Sequence, residues 1–82
     1  MKSHYPELRF VNENTLDQQL EHIQEEFVEV IKAEGLGDRD AELSDLEQSI
    51  QTYFYMRAKQ GIDIDAVRAA TIAKNKTRGY EP

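Results

Sequence analysis

The 82-residue chain contains no cysteine, which excludes disulfide bonds and thiolate metal sites. It has 16 acidic and 10 basic residues, and its net charge of −6 argues against general nucleic-acid binding. No apolar run approaches the length of a membrane span, and the first residues lack the apolar core of a signal peptide. We therefore expect a cytoplasmic protein with neither a nucleic-acid nor a membrane partner.

A chain of this length is predicted to form one domain, residues 1–82, with a modest core. Domains of this size often need a metal ion, disulfides or a partner chain for stability. Because disulfides are excluded, an oxygen-ligated metal and self-association remain, and the many carboxylates suit such a metal. We expect both, with a homodimer or a homotetramer as the assembly.

The first predicted helix follows an irregular arm, residues 1–14, in which no periodicity is sustained. Thr15 and Gln18 form a capping-box pattern, which opens a helix over residues 15–34. Two glycines follow shortly afterwards and predict its end. Apolar residues recur at helical spacing and form one stripe that should face the core: Leu16, Leu20, Ile23, Phe27, Val30 and Ile31.

A second helix is predicted over residues 40–59, with Asp38 or Asp40 as its cap. A link of five or six residues between two long helices implies an antiparallel hairpin. Asp63 is a candidate cap for a third helix, residues 63–78. Since no stretch alternates with period two, the predicted fold is an all-α bundle of a hairpin and a third helix. The apolar stripe of the second helix contains Leu43, Leu46, Ile50, Tyr53 and Phe54.

Charge is unevenly distributed along the chain. Residues 1–50 hold 4 basic and 13 acidic side chains, net −9, whereas residues 51–82 hold 6 basic and 3 acidic, net +3. An acidic metal site and a basic phosphate-binding end would produce this asymmetry. An ordinary acidic protein with a basic tail would produce it too.

Two acidic pairs have the spacing of metal ligands. Glu26 with Glu29, and Glu42 with Asp45, are i, i+3 pairs, so each pair lies on one side of its helix. In an antiparallel hairpin the end of the first helix meets the start of the second, and the four carboxylates converge at the edge of the core. Oxygen-only ligands favour Mg²⁺, Mn²⁺ or Ca²⁺, and of these Mg²⁺ typically uses a few carboxylates together with substrate phosphate. Solvated helix faces also carry carboxylates routinely, so a plain acidic surface remains the alternative.

One face of the third helix changes from apolar to cationic along its length. Phosphate oxygens are a natural ligand for such a face. Arg78 would bind them in bidentate fashion, and Lys74 or Lys76 would add point charge. Asn75 would bond to sugar or phosphate. Basic residues near a helix C-terminus also simply favour the helix dipole, which is the alternative interpretation.

Three segments, taken together and in this order, carry a family resemblance. They are "EEFVEVIKA" with the first acidic pair, "AELSDLEQSI" with the second, and the closing "GIDIDAVRAATIAKNKTRGYEP". This arrangement resembles the MazG-like all-α nucleoside-triphosphate pyrophosphohydrolases, a superfamily that includes dimeric dUTPases and phosphoribosyl-ATP pyrophosphohydrolase. The resemblance spans residues 15–82.

The resemblance implies an enzyme that hydrolyses a nucleoside triphosphate between its α and β phosphates, giving a nucleoside monophosphate and pyrophosphate. Such an activity suits housecleaning of the nucleotide pool. The family pattern also implies assembly as dimers or tetramers, with sites completed between chains, and a nucleotide contacted by Asn75 and Arg78. By the same pattern, Mg²⁺ would be held by Glu26, Glu29, Glu42 and Asp45.

One position departs from the family pattern. Members often carry a lysine four residues before the asparagine, and this chain has Thr71 there. Lys74 or Lys76 would have to supply that charge, which puts the phosphate contacts in doubt. Tyr80 is a further candidate for substrate binding, by stacking on a base.

The residue that activates water is predicted to be Glu26 or Glu25. The helical phase of Glu25 points it away from the core, which is more typical of a solvated side chain. His22 lies one turn before Glu26 and could touch metal or substrate, although such histidines are more often solvent-exposed. The alternatives to an enzyme are a non-catalytic helical module that docks on a basic partner, and a module that binds nucleotides without cleaving them.

Overall fold

A computed structural model describes residues 3–82 and consists of four helices. No strand occurs in this range, so the predicted all-α fold is confirmed. The second and third helices form a hairpin, and the first and fourth pack against the third. The helices are α1 (Phe10–Glu13), α2 (Leu16–Lys32), α3 (Leu36–Lys59) and α4 (Ile64–Thr77).

The starts of α2 and α4 are set by the predicted caps. The Thr15 hydroxyl accepts a hydrogen bond from the Gln18 amide at 3.1 Å, and the Gln18 side chain accepts from the Thr15 amide at 2.8 Å. This reciprocal pair satisfies two amides that the helix itself leaves without partners. The Asp63 carboxylate accepts from the Ala66 amide at 3.1 Å in the same manner.

The link between α2 and α3 is shorter than predicted. It consists of residues 33–35, because α3 begins at Leu36 rather than at residue 40. Gly35 caps α3 with φ of 82°, a left-handed conformation that favours glycine, and reverses the chain at once. Asp38 and Asp40 therefore lie inside α3 and do not cap it. The arm predicted to be irregular also contains the one-turn helix α1.

The contacts between α2 and α3 run in antiparallel order and include a polar interior. Gln19 is only 1% exposed, and its amide nitrogen donates to the Ser49 carbonyl oxygen at 2.9 Å. Its side-chain oxygen accepts from the Asn14 amide group at 2.9 Å. Thr52 is equally buried and donates to the Gln48 carbonyl oxygen. Among the described residues, no buried polar side-chain atom lacks a hydrogen-bond partner.

The N-terminal arm lies along α3. The Tyr55 hydroxyl donates to the Tyr5 carbonyl oxygen at 2.8 Å, and the Tyr5 hydroxyl donates to Glu47 Oε1 at 2.6 Å. Further along, Lys59 Nζ bonds to Glu7 and to Asn12. These contacts hold the arm against α3 between Glu47 and Lys59.

Helix α4 is attached to α3 mainly through its first turns. Ile64 is buried, and Arg68 donates to Gln51 Oε1 at 2.8 Å while its guanidinium carbon lies 5.1 Å from the Phe54 ring centroid. After Arg68 every residue of α4 is exposed except Asn75, which is half-buried. The C-terminal half of α4 therefore has little covering within the chain.

The predicted apolar stripes are incompletely buried in the single chain, which corrects the expectation that they form its core. The apolar residues that are fully buried in the described range are Val11, Met56 and Ile64. Phe27 is 52% exposed and Ile31 is 68% exposed, and the exposed set also contains Leu20, Leu43 and Ile50. The stripes have the predicted spacing, but one hairpin cannot enclose both.

Two global measures agree with this incomplete burial. The chain exposes 6106 Å² of surface, whereas a compact monomer of this size exposes about 5,000 Å². Its radius of gyration is 14.5 Å, against about 12 Å for a compact domain of this length. Within the described residues, no helix combines the length and apolar character that crossing a membrane requires.

Candidate metal centre

Three carboxylates meet at one side of the hairpin. Glu26 of α2 and Glu42 and Asp45 of α3 each offer an oxygen, and these oxygens all lie within 4.8 Å of one another. Glu26 and Glu42 are half-buried and Asp45 is exposed. We call these three residues the carboxylate cluster.

The cluster follows directly from the antiparallel pairing. Gln19 faces Ser49, so Glu26, two turns later on α2, comes level with residues two turns earlier on α3. The three-residue gap between Glu42 and Asp45 keeps both on the side that faces Glu26. The predicted convergence of acidic residues from two helices therefore occurs for three of the four.

Electrostatic repulsion is concentrated on Glu42. Desolvation by burial raises the pKa of its carboxyl group, and the charges of Asp45, Glu29, Glu26 and Asp38 raise it further. Each of these effects disfavours the charged carboxylate. A cation beside Glu42 would reverse the balance, because it attracts all the surrounding carboxylates at once.

Glu29, the fourth predicted ligand, lies outside the carboxylate cluster. It remains close enough for its charge to raise the Glu42 pKa. With Glu42 it lines an open groove of about 320 Å³ at the hairpin tip. We call this the tip groove, and its remaining lining residues are Lys32, Ala33, Glu34, Asp38 and Ala41. Glu42 is thus the residue that the cluster and the groove share.

The sequence pattern predicts no site role for two residues of this region. Asp38 acts on Glu42 through its charge, and Lys32 lines the tip groove. Their spacing could have identified them, because residues three or four apart lie on the same side of a helix. Asp38 lies four residues before Glu42, and Lys32 lies three residues after Glu29. Asp38 was interpreted as a helix cap instead.

His22 and Glu25 border the cluster on α2. His22 Nε2 lies 3.5 Å from Glu26 Oε1, and His22 Nδ1 lies 3.9 Å from Glu25 Oε2, so both contacts become ion pairs when the histidine is protonated. The Glu25 side chain is 78% exposed and does not belong to the cluster. Of the two candidates for activating water, Glu26 is the one within the cluster.

The basic end of α4 makes no contact with the cluster in this chain. Among residues 3–82, no ion pair or side-chain hydrogen bond joins the carboxylates to the predicted substrate-binding residues, Lys74, Asn75, Lys76, Arg78 and Tyr80. Of these only Asn75 is half-buried. Thr71, where the family pattern often has lysine, donates its hydroxyl to the Val67 carbonyl oxygen at 3.2 Å.

The cluster fits a small, hard cation. Mg²⁺ binds oxygens at about 2.1 Å, so two ligands on opposite sides of the ion are about 4.2 Å apart. The oxygens of the cluster lie within 4.8 Å of one another, so small side-chain rotations bring them into range. With neither thiolate nor imidazole among its members, the set suits Mg²⁺ or Mn²⁺ better than a softer metal.

Comparison with models of protein families, with curated proteins and with solved structures finds no match to this chain. The family resemblance therefore stays a prediction, and the functional argument depends on the residues themselves.

Proposed function

We propose that this chain is a Mg²⁺-dependent nucleoside-triphosphate pyrophosphohydrolase. The observation that carries the proposal is the carboxylate cluster. Oxygens of Glu26, Glu42 and Asp45, from two helices, lie within 4.8 Å of one another, which is close enough for all three to bind one cation. Repulsion between Glu42 and the neighbouring carboxylates favours binding of that cation. The resemblance of the three segments to the MazG-like pyrophosphohydrolases supplies the reaction type.

In this proposal Glu26, Glu42 and Asp45 would hold Mg²⁺, with Glu29 as an additional ligand. The bound ion would neutralise the triphosphate and acidify a water molecule. Glu26 accepts the proton of the attacking water, with Glu25 as the second candidate for this role. Attack at the α-phosphorus breaks its bond to the bridging oxygen, and pyrophosphate leaves with that oxygen.

The substrate-binding side is proposed to come from the cationic end of α4. Arg78 and a lysine, Lys74 or Lys76, would stabilise the leaving pyrophosphate. Asn75 would bond to the nucleotide, and Tyr80 would stack on its base. Since these side chains do not reach the cluster of their own chain, we propose that they serve the cluster of a neighbouring copy.

This arrangement requires self-association, as a homodimer or a homotetramer, and the exposed surface of the chain supports that part of the proposal. The chain exposes about 1,000 Å² more surface than a compact monomer, and large apolar side chains contribute to that excess. A standard interface buries about 800 Å² on each partner, so the excess matches one such interface. Phe27, Ile31 and Ile72 are among the apolar residues that a second copy would cover.

The test is hydrolysis by the purified full-length chain. Incubation with Mg²⁺ and a panel of canonical and modified nucleoside triphosphates should release pyrophosphate and the monophosphate in equal amounts. Glu42→Gln should abolish this release, because it removes one metal ligand from the cluster. Glu21→Gln, an exposed glutamate of α2 outside the cluster, is the matched control and should retain activity.

The competing hypothesis is a non-catalytic helical interaction module, which the exposed apolar side chains also favour. A nucleotide-binding module without hydrolysis is a second form of it. If no triphosphate is cleaved, and Glu42→Gln changes neither metal binding nor thermal stability, the enzyme proposal is lost. Metal-dependent nucleotide binding without cleavage would identify the binding module.

A further inference from the structure

Lys32, in the last turn of α2, is the only cationic residue among those that line the tip groove. The same groove is lined by four carboxylates, from Glu29, Glu34, Asp38 and Glu42. Despite these neighbours, Lys32 makes no ion pair within 4.0 Å in residues 3–82. Its ammonium group is therefore available to a ligand that enters the groove.

The tip groove is continuous with the carboxylate cluster. Glu42 belongs to both, and Glu29 lines the groove while its charge acts on Glu42. A ligand that is bound to a cation at the cluster and extends past Glu42 into the groove would meet Lys32. The groove's own lining carries four negative charges and one positive charge, so a free anion would be repelled. An anion that arrives with divalent cations would not.

We propose that Lys32 binds the pyrophosphate portion of a metal-bound nucleoside triphosphate, a role that rests on the proposed function. An ammonium group supplies three donors and a compact positive charge, which suit the closely spaced oxygens of a diphosphate. The groove's volume of about 320 Å³ leaves room for such a group beside the lysine. Lys32 thereby sets where the leaving group lies relative to the cluster.

A purely electrostatic role for Lys32 predicts a different effect of its removal on diphosphate binding. If the lysine only offsets the surrounding carboxylates, its removal strengthens the attraction for cations and leaves diphosphate binding almost unchanged. If it contacts the diphosphate, its removal weakens diphosphate binding even when the cation site is full. The two roles therefore separate when metal binding and pyrophosphate binding are measured independently.

The experiment is isothermal titration calorimetry of the full-length chain, first with Mg²⁺ alone and then with inorganic pyrophosphate at saturating Mg²⁺. Lys32→Gln should raise the Kd for pyrophosphate about tenfold, the loss of one charge-assisted contact. Lys32→Arg should restore most of the binding. Arg39→Gln is the matched control, because it removes one positive charge from the same end of the hairpin without altering the groove lining.

The Lys32 proposal is overturned if Lys32→Gln changes the Kd for pyrophosphate less than twofold, or if Arg39→Gln weakens it equally. Absence of pyrophosphate binding to the wild-type chain at saturating Mg²⁺ overturns it too. Failure of the proposed function looks different, because it requires that Mg²⁺ does not bind at the cluster or that no triphosphate is cleaved. A wild-type enzyme that hydrolyses nucleotides, with an unaffected Lys32→Gln variant, would refute the role of Lys32 alone.

Discussion

Two parts of the α2–α3 hairpin contain polar residues, and they differ in how those residues are satisfied. Where α2 begins, Gln19, Ser49 and Thr52 are buried, and none of their buried side-chain polar atoms lacks a hydrogen-bond partner. Toward the tip, Glu26, Glu42 and Asp45 face one another with no cationic partner among them. The first set is satisfied by hydrogen bonds within the chain, whereas the second set consists of like charges that repel one another. This contrast distinguishes a hydrogen-bonded polar layer from the carboxylates that we propose as metal ligands.

The largest expected effect comes from breaking the polar layer. Gln19→Ala removes the hydrogen bonds that Gln19 makes to the Ser49 carbonyl oxygen and the Asn14 side-chain amide, and it opens a cavity. We expect the free energy of unfolding to decrease by about 2 to 4 kcal/mol. Urea denaturation followed by circular dichroism, at one fixed protein concentration, measures this difference. Gln24→Ala, at an exposed position of the same helix, should change stability little. Equal effects at both positions would contradict a special role for Gln19.

A smaller effect is expected from adding Mg²⁺, which should complete the tip. A ligand that binds only the folded state stabilises it by about 2.7 kcal/mol when present at 100 times its Kd. The wild-type chain should therefore show a Tm that rises with Mg²⁺ concentration. Glu42→Gln should lose this rise, and Glu21→Gln should keep it. An identical rise in all three proteins would mean that the cation binds elsewhere.

The smallest effect concerns the arm, through the hydrogen bond from Tyr5 to Glu47. That bond raises the pKa of the Tyr5 phenol above 10.0, while the bond with Ser44 acts in the opposite direction. Because the neutral phenol is the favoured form in the folded chain, its stabilising contribution is fully present below pH 10. It is lost as the pH rises through the raised pKa.

Comparison of Tyr5→Phe with the wild-type chain tests this pH dependence. Their difference in unfolding free energy should be constant below pH 10 and should decrease above it. Tyr53→Phe is the control, since the Tyr53 hydroxyl makes no hydrogen bond within residues 3–82. A difference that grows with rising pH would contradict the assigned donor.

Much of the fold could be predicted because its signals are local. The Thr15 capping box and the Asp63 cap are formed by residues within one turn of each other. Their hydrogen bonds therefore do not depend on contacts with distant parts of the chain. The spacing of the carboxylates on α2 and α3 is likewise a property of a single helix. The sequence therefore predicts Glu26, Glu42 and Asp45 as candidate ligands, and these are the three that converge.

The remaining features depend on contacts between distant residues. The sequence by itself determined where α2 and α4 begin, the apolar stripes and the candidate carboxylates. Only the tertiary structure decided that the link between α2 and α3 consists of residues 33–35. It also decided that Glu29 lies beside the cluster and that Lys32 lines the groove. It also decided that polar Gln19 is buried while Phe27 is left half exposed. The physical reason is that helix starts need only neighbours along the chain, whereas burial depends on which surfaces two packed helices can cover.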